Sequence, residues 1–234
     1  MEYETSEDKV EKIFCETWKE LVGEYPSART LSTFCTESDL EVNLAHKLMN
    51  RLPPNSVHTQ LPIPMDAQFF EGSLRYTGRS IAKKVIKPDI VIMDPLVPKI
   101  HLIAELKFTP VYWSYMAFYL AKEGGLTSEA LATLKGKLQR DVEYLRGFRE
   151  KPNLQDLRKA YLSNVPGMVR LLENFESVTG ERIACYLCIV DEIYPDIQKL
   201  LSEIIGDFDR QARITIMTTH VDIYESMKQL FKEI

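Results

Sequence analysis

The chain has 234 residues, of which 45% are apolar and 27% charged, so one sizeable hydrophobic core can form and the composition is unlike that of a disordered protein. Its formal net charge of −5 excludes a uniformly basic surface, and any contact with nucleic acid must come from a local patch. Charged residues interrupt every long apolar run, and Met1–Glu4 is acidic. We therefore expect no membrane association, no signal peptide and a cytoplasmic location.

Two amphipathic helices are predicted near the N-terminus. Between Ser6 and Leu21 apolar residues recur at helical spacing, with charged residues filling the opposite face. A second helix begins at the capping residues of Thr36–Asp39, carries a stripe of leucines and ends before Pro53.

Strand-forming segments follow these helices. Val57–Pro64 is a short extended segment, and Val85–Met93 and Ile100–Phe108 are apolar segments typical of strands. The turn-prone hexapeptide Asp94–Lys99 connects the last two segments. This pattern predicts an antiparallel hairpin.

The remainder of the chain alternates between helices and strands. Helical spacing covers Thr109–Phe148 and, as two shorter helices separated by Pro166-Gly167, Leu154–Phe175. Strands are predicted at Ile183–Val190 and Ala212–Thr218. We predict a single domain over residues 1–234, of the α/β class, with a mixed central β-sheet flanked by helices and with helical insertions.

Cys185 and Cys188 have the CxxC spacing found in redox and zinc sites. They lie in the apolar segment that is predicted to be a buried strand, where residues three apart point to opposite faces. Two sulfurs on opposite faces cannot share a metal, so we predict two buried thiols.

Three ionisable residues interrupt the apolar strands of the predicted hairpin: Asp89, Glu105 and Lys107. Burying a charged group is costly unless it is paired or bound to a metal. Glu105 and Lys107 are two residues apart, so they share one face of their strand. A turn near Leu96 would place Asp89 across from Glu105, with Cβ atoms about 5 Å apart.

Two opposed carboxylates repel each other unless a cation lies between them. Mg²⁺ takes oxygen ligands and needs only one or two protein carboxylates, and Mn²⁺ can substitute for it. Lys107 would then point toward a metal-bound water or a phosphate oxygen. These groups supply what phosphodiester hydrolysis requires, namely a Lewis acid, an activated water and stabilisation of negative charge.

Pro88-Asp89 followed by Glu105-Leu106-Lys107 resembles the motif of the PD-(D/E)XK, or restriction-endonuclease-like, nuclease superfamily. The predicted order of a helix, three strands, a helix and a further strand is also similar to the core of that family. The resemblance covers about residues 36–220 and leaves 1–35 as an N-terminal helical extension. It implies a metal-dependent DNA endonuclease in restriction, repair or defence, with RNA as an alternative substrate and a homodimer as one arrangement.

The same resemblance implies two further site residues. A glutamate on the first core helix often completes the metal site, and Glu41 is the best match, although an acid near a helix N-terminus also favours the helix dipole. A polar residue on the helix after the third strand often faces the site. Gln139 is the best match to that position, Lys135 and Asp141 compete with it, and Tyr144 does not fall at the expected spacing.

A basic stretch without acidic residues precedes the motif and could hold a phosphate backbone. Its members are Arg75, Arg79, Lys83, Lys84 and Lys87. The alternative is an ordinary solvated surface.

Two other interpretations remain open for the central residues. The chain can be a catalytically inactive module that binds nucleic acid or protein, or the charged residues can form a salt-bridge network. A network predicts that Lys107→Ala destabilises the fold, whereas an active site predicts loss of cleavage with little loss of stability.

Overall fold

The structure, a computed structural model, describes residues 7–24, 37–64, 85–96, 99–109, 154–191, 194, 196–197, 199–201 and 214–220. The helices in these ranges are α1 (Glu7–Glu24), α2 (Glu37–Met49), α3 (Leu154–Leu162) and α4 (Val165–Thr179). The strands are β1 (Val57–Thr59), β2 (Ile63–Pro64), β3 (Val85–Ile86), β4 (Ile90–Met93), β5 (Ile100–Thr109), β6 (Ala184–Asp191) and β7 (Ile214–His220). Within the same ranges, no helix is long and apolar enough to cross a lipid bilayer.

The strands form a five-stranded sheet in the order β1-β4-β5-β6-β7, and β2 and β3 form a separate two-stranded ribbon. Neighbours β1, β4 and β5 are antiparallel, whereas β5, β6 and β7 are parallel. The predicted hairpin of β4 and β5 is confirmed. A mixed sheet flanked by helices confirms the α/β class that the sequence predicts.

One face of the sheet packs against α1 and α2. Alternate residues of β5, beginning at Leu102 and ending at Phe108, share a hydrophobic cluster with the apolar stripes of both helices. The stripe of α2 consists of Leu40, Leu44 and Leu48. The helical spacing in the sequence therefore identifies the buried faces of both helices correctly.

The opposite face of the sheet packs against α3 and α4. Ile103 of β5 contacts a cluster that includes Met168 and Leu171 of α4, and Leu187 of β6 lies in a second cluster with Leu157 of α3. Glu105 and Lys107 alternate with Leu106 along β5, so they lie on this α3–α4 face.

The corner between α3 and α4 differs from the prediction. The predicted break at Pro166-Gly167 is wrong, because α3 ends at Leu162 and Pro166 lies in the first turn of α4. Proline is tolerated there because the first turn of a helix does not use its backbone N–H groups. The helix ends at Gly180, whose left-handed conformation (φ 70°) lets its N–H donate to Glu176 O.

The two cysteines of the CxxC segment lie on opposite faces of β6, as predicted. Cys185 belongs to the cluster under α4, and Cys188 belongs to the cluster under α1 and α2. Both are buried free thiols.

Candidate functional site

The register of the β4–β5 hairpin determines the centre of the site. Ile90 pairs with Ala104, so Asp89, one residue before β4, comes across from Glu105, as the sequence predicted. Asp89 is 6% exposed, Glu105 2% and Lys107 9%. Three ionisable side chains are thus buried together at the centre of the sheet.

Asp89 accepts two hydrogen bonds. Its Oδ1 accepts from Gln60 Nε2 (2.6 Å) and its Oδ2 accepts from the backbone N–H of Leu106 (2.7 Å). Burial, and then the negative charge of Glu105, raise the pKa of Asp89 to about 7 from an ordinary value of 3.8. Without a cation this carboxyl group is therefore only partly ionised at neutral pH.

Glu105 has one oxygen that is satisfied and one that is not. Its Oε1 accepts from Lys107 Nζ (2.8 Å) and from Asn164 Nδ2. Its Oε2 is buried and has no hydrogen-bond partner among the residues that the structure describes. A buried carboxylate oxygen without a partner is unfavourable, and a bound cation or water would satisfy it.

Lys107 uses all three of its ammonium N–H groups. They donate to Glu105 Oε1 (2.8 Å), Leu106 O (2.9 Å) and Glu37 Oε1 (3.2 Å). Burial lowers the pKa of Lys107, but the hydrogen bond to Glu105 and the surrounding carboxylates outweigh burial, so the net shift is upward. Lys107 is therefore a charged counter-ion in this arrangement and not a free base.

Two glutamates of α2 reach the same site from its solvent side. Glu41 Oε2 accepts from Gln60 Nε2 (3.2 Å), which also donates to Asp89, so the structure brings Glu41 close to Asp89. Burial, together with the charges of Glu37 and Glu105, raises the pKa of Glu41 despite the Gln60 hydrogen bond. Glu37, which the sequence analysis missed, pairs with Lys107 directly. Glu37 lies one helical turn before Glu41, so the two share a face of α2, and this spacing could have identified Glu37 from the sequence.

Gln60 is a second residue that the sequence analysis missed. It follows β1 and has a left-handed backbone conformation (φ 51°), which is uncommon outside glycine and costs about 1–2 kcal/mol. Its N–H donates to Asp89 O (3.2 Å), and its side-chain Nε2 donates to both Asp89 and Glu41. The left-handed conformation therefore occurs where one residue contacts two carboxylates.

The corner between α3 and α4 holds two of the buried carboxylates of the sheet. Asn164 is the N-cap residue of α4, but its side chain makes no capping hydrogen bond and donates to Glu105 of β5 instead. One turn earlier, Tyr161 donates to Asp191 at the end of β6. Helices α3 and α4 therefore contribute one side chain that contacts the site, Asn164 at Glu105, and one that binds Asp191.

Replacing Asn164 with aspartate distinguishes its position as the N-cap residue of α4 from its hydrogen bond to Glu105. Asparagine and aspartate are equally good N-caps, so a residue that only caps α4 would tolerate the change. Here the new carboxylate would face buried Glu105, and we expect a loss of about 1–3 kcal/mol in the free energy of unfolding at pH 8. Urea unfolding measures this loss, and Asn174→Asp within α4 is the control. Equal stability of Asn164→Asp and the wild type would contradict a role for Asn164 at Glu105.

Several predicted site residues lie outside the described residues: Arg75, Arg79, Lys83, Lys84, Gln139 and the competitors of Gln139. Lys87 is described, and it lies exposed two residues before Asp89. In the described part of the chain, no group of three or more His, Cys, Asp or Glu side chains is arranged to hold a metal ion. The protein's own donors, Gln60 and Lys107, lie between the carboxylates.

The residues present nevertheless fit a small hard cation. Asp89 and Glu105 are opposed across the hairpin, and burial next to Glu105 raises the pKa of Asp89 to about 7. Among the described residues Glu105 Oε2 has no hydrogen-bond partner. Gln60 Nε2 donates to both Glu41 and Asp89, which brings these two acids close together. Carboxylate oxygens are the ligands that Mg²⁺ prefers.

Comparisons with known proteins identify no relative: no family model, no curated protein and no solved structure matches the chain.

Proposed function

We propose that the chain is a Mg²⁺-dependent phosphodiesterase that cleaves DNA, with its active site at Asp89, Glu105 and Lys107. The proposal rests on the buried Oε2 of Glu105, which has no hydrogen-bond partner in the described part of the chain although it lies next to a second carboxyl group and a charged lysine. A structural salt bridge between Lys107 and Glu105 does not require the carboxyl group of Asp89. Burial, and then the charge of Glu105, raise the pKa of Asp89 to about 7, a shift that is frequent at functional sites.

Asp89 and Glu105 would hold the cation, and Glu41 would be a third ligand. Mg²⁺, or Mn²⁺ in its place, supplies a Lewis acid and lowers the pKa of a bound water. The chain's own contribution would be the burial of Asp89 and Glu105 at the β4–β5 hairpin, where electrostatic interactions are stronger than in water.

Lys107 would orient the attacking water and stabilise the negative charge that develops on the phosphate. Its raised pKa keeps it protonated at neutral pH, which favours charge stabilisation over proton abstraction. One of its three partners, Glu37, has a side chain that is 42% exposed, so this contact can yield to a phosphate oxygen.

Duplex DNA is the proposed substrate, and an endonuclease in restriction, repair or defence is the proposed role. The exposed Lys87 lies two residues from Asp89, where it can contact a phosphate. The rest of the basic stretch would extend this contact along the backbone. Cleavage of both strands would require two sites, which a homodimer would supply.

A second candidate function is a nucleic-acid-binding or protein-interaction module without turnover. The observation in its favour is that all three N–H groups of Lys107 are used by the protein itself. Such a module would bind its partner independently of divalent cations.

The test is cleavage of plasmid, linear duplex, branched DNA and RNA in Mg²⁺, Mn²⁺ or EDTA. Glu105→Gln preserves the shape of the side chain but removes the charge, so we expect metal-dependent cleavage to fall by at least about a hundredfold. Glu173→Gln is the matched control, because Glu173 is exposed on α4. Metal-independent binding without cleavage would instead establish the interaction module.

A further inference from the structure

The Gln60 carboxamide lies between two carboxylates that the proposed cation requires. Its Nε2 is 2.6 Å from Asp89 Oδ1 and 3.2 Å from Glu41 Oε2. A carboxamide N–H₂ group carries partial positive charge and has two donors, so it offsets some of the repulsion between the two acids. A divalent cation would do the same with a larger charge.

The backbone conformation of Gln60 directs its side chain toward the two carboxylates. Its left-handed conformation is held by the hydrogen bond from its N–H to Asp89 O (3.2 Å). The residue is exposed at the end of β1. Its carboxamide can therefore leave the carboxylates through a change of side-chain rotamer, without any rearrangement of the core.

We propose that Gln60 is a place-holder in the cation site, which the cation must displace before it can bind Asp89 and Glu41. This inference rests on the proposed function, because it concerns the same site. The carboxamide stabilises the metal-free protein and by the same contacts competes with the cation. A ligand that must displace a bound group has its affinity reduced by the stability of the displaced contact.

Removing the Gln60 side chain should have the opposite effect on cation affinity from removing the side chain of a metal ligand. Removing a ligand side chain weakens cation binding, whereas removing a competitor strengthens it. We expect Gln60→Ala to bind Mn²⁺ about three- to tenfold more tightly than the wild type, the factor that corresponds to one or two net hydrogen bonds. The affinity of the cation site would thus be set partly by a residue outside its ligands.

The experiment is a titration of the full chain with Mn²⁺ alone, in which electron paramagnetic resonance measures the free cation. Asn55→Ala is the matched control, because Asn55 is the other non-glycine residue with positive φ in the described ranges (64°) and is also exposed. It imposes the same backbone strain without touching the carboxylates. Gln60→Gly removes the side chain together with the strain, so it provides the test if the alanine variant does not fold.

Tighter binding by Gln60→Ala or Gln60→Gly, with Asn55→Ala equal to the wild type, would support the place-holder. Weaker binding would make Gln60 a ligand, and unchanged affinity would make it irrelevant to the cation; either result overturns the inference. Asp89→Asn distinguishes this failure from failure of the proposed function. If the wild type binds Mn²⁺ and Asp89→Asn does not, the cation site at Asp89 is supported even when the Gln60 variants contradict the place-holder role. If neither binds Mn²⁺, both fall.

Discussion

Replacing Lys107 with alanine is expected to lower the free energy of unfolding of the metal-free protein by about 3–5 kcal/mol. The ammonium group is buried and bridges Glu105 and Glu37. Its removal leaves Glu105, only 2% exposed, with Asn164 as its remaining hydrogen-bond donor. An uncompensated buried charge is among the few single changes that destabilise a protein this strongly.

The destabilisation should depend on the charge of Glu105. The double variant Lys107→Ala/Glu105→Gln removes both charges, so it should recover most of the lost stability but none of the cleavage activity. Mg²⁺ should also restore part of the stability of Lys107→Ala, because a cation can take the place of the ammonium group at Glu105.

Urea unfolding in EDTA and in Mg²⁺ measures both effects. Lys99→Ala is the control, because Lys99 also pairs with two carboxylates, Glu7 and Glu181, but near the surface. Loss of such a pair costs at most about 1 kcal/mol. Equal losses for Lys99→Ala and Lys107→Ala would contradict the importance of burial at Lys107.

From the sequence, a salt-bridge network and an active site are alternative interpretations of Lys107. In the structure Lys107 forms the ion pairs of a network, and this is compatible with a role in an active site. The same ammonium group pairs with Glu105 in the structure and, in the proposed function, would also contact the phosphate. Stability alone therefore does not decide between the two interpretations. Cleavage by Lys107→Ala in Mg²⁺ does, because Glu105 is intact there and part of the stability is restored, so only a catalytic lysine would leave this variant inactive.

The parts of the site that the sequence predicts are those that depend on local periodicity. Alternation along β5 places Glu105 and Lys107 on one face, and the length of the connecting turn places Asp89 opposite Glu105. The leucine stripe of α2 predicts which face of that helix is buried. Each of these inferences involves residues in one strand, one helix or one hairpin.

The residues that the sequence analysis missed make contacts between distant parts of the chain. Asn164 is 59 residues from Glu105, and Glu37 is 70 residues from Lys107. Polar residues at a helix N-terminus have the same local pattern whether they cap the helix or reach across to the sheet. Gln60 interrupts what reads as one extended segment, and nothing in its neighbours predicts a positive φ. Tertiary packing alone determines these contacts.

Asp89→Asn is expected to remove the pH dependence of stability that arises at this site. The pKa of Asp89 is raised from 3.8 to about 7, first by burial and then by Glu105, so between these pH values the folded protein binds a proton that the unfolded chain has lost. The titration of Asp89 should therefore lower the free energy of unfolding of the wild type as pH rises from about 4 to 7, by on the order of 4 kcal/mol in total. Asparagine does not titrate, so this decline should be absent from the variant.

The comparison is made by urea unfolding in EDTA between pH 4 and pH 9, with Asp8→Asn, an exposed residue of α1, as the control. Above pH 7 Asp89→Asn should be more stable than the wild type, because its amide oxygen can still accept from Leu106 N while residue 89 carries no charge next to Glu105. Parallel profiles for the wild type and Asp89→Asn, or a variant that is less stable at every pH, would contradict the raised pKa of Asp89. Mg²⁺ should flatten the wild-type profile and leave that of Asp89→Asn unchanged. A cation binds the ionised carboxylate, so the charge that destabilises the metal-free fold would be the same charge that holds the metal.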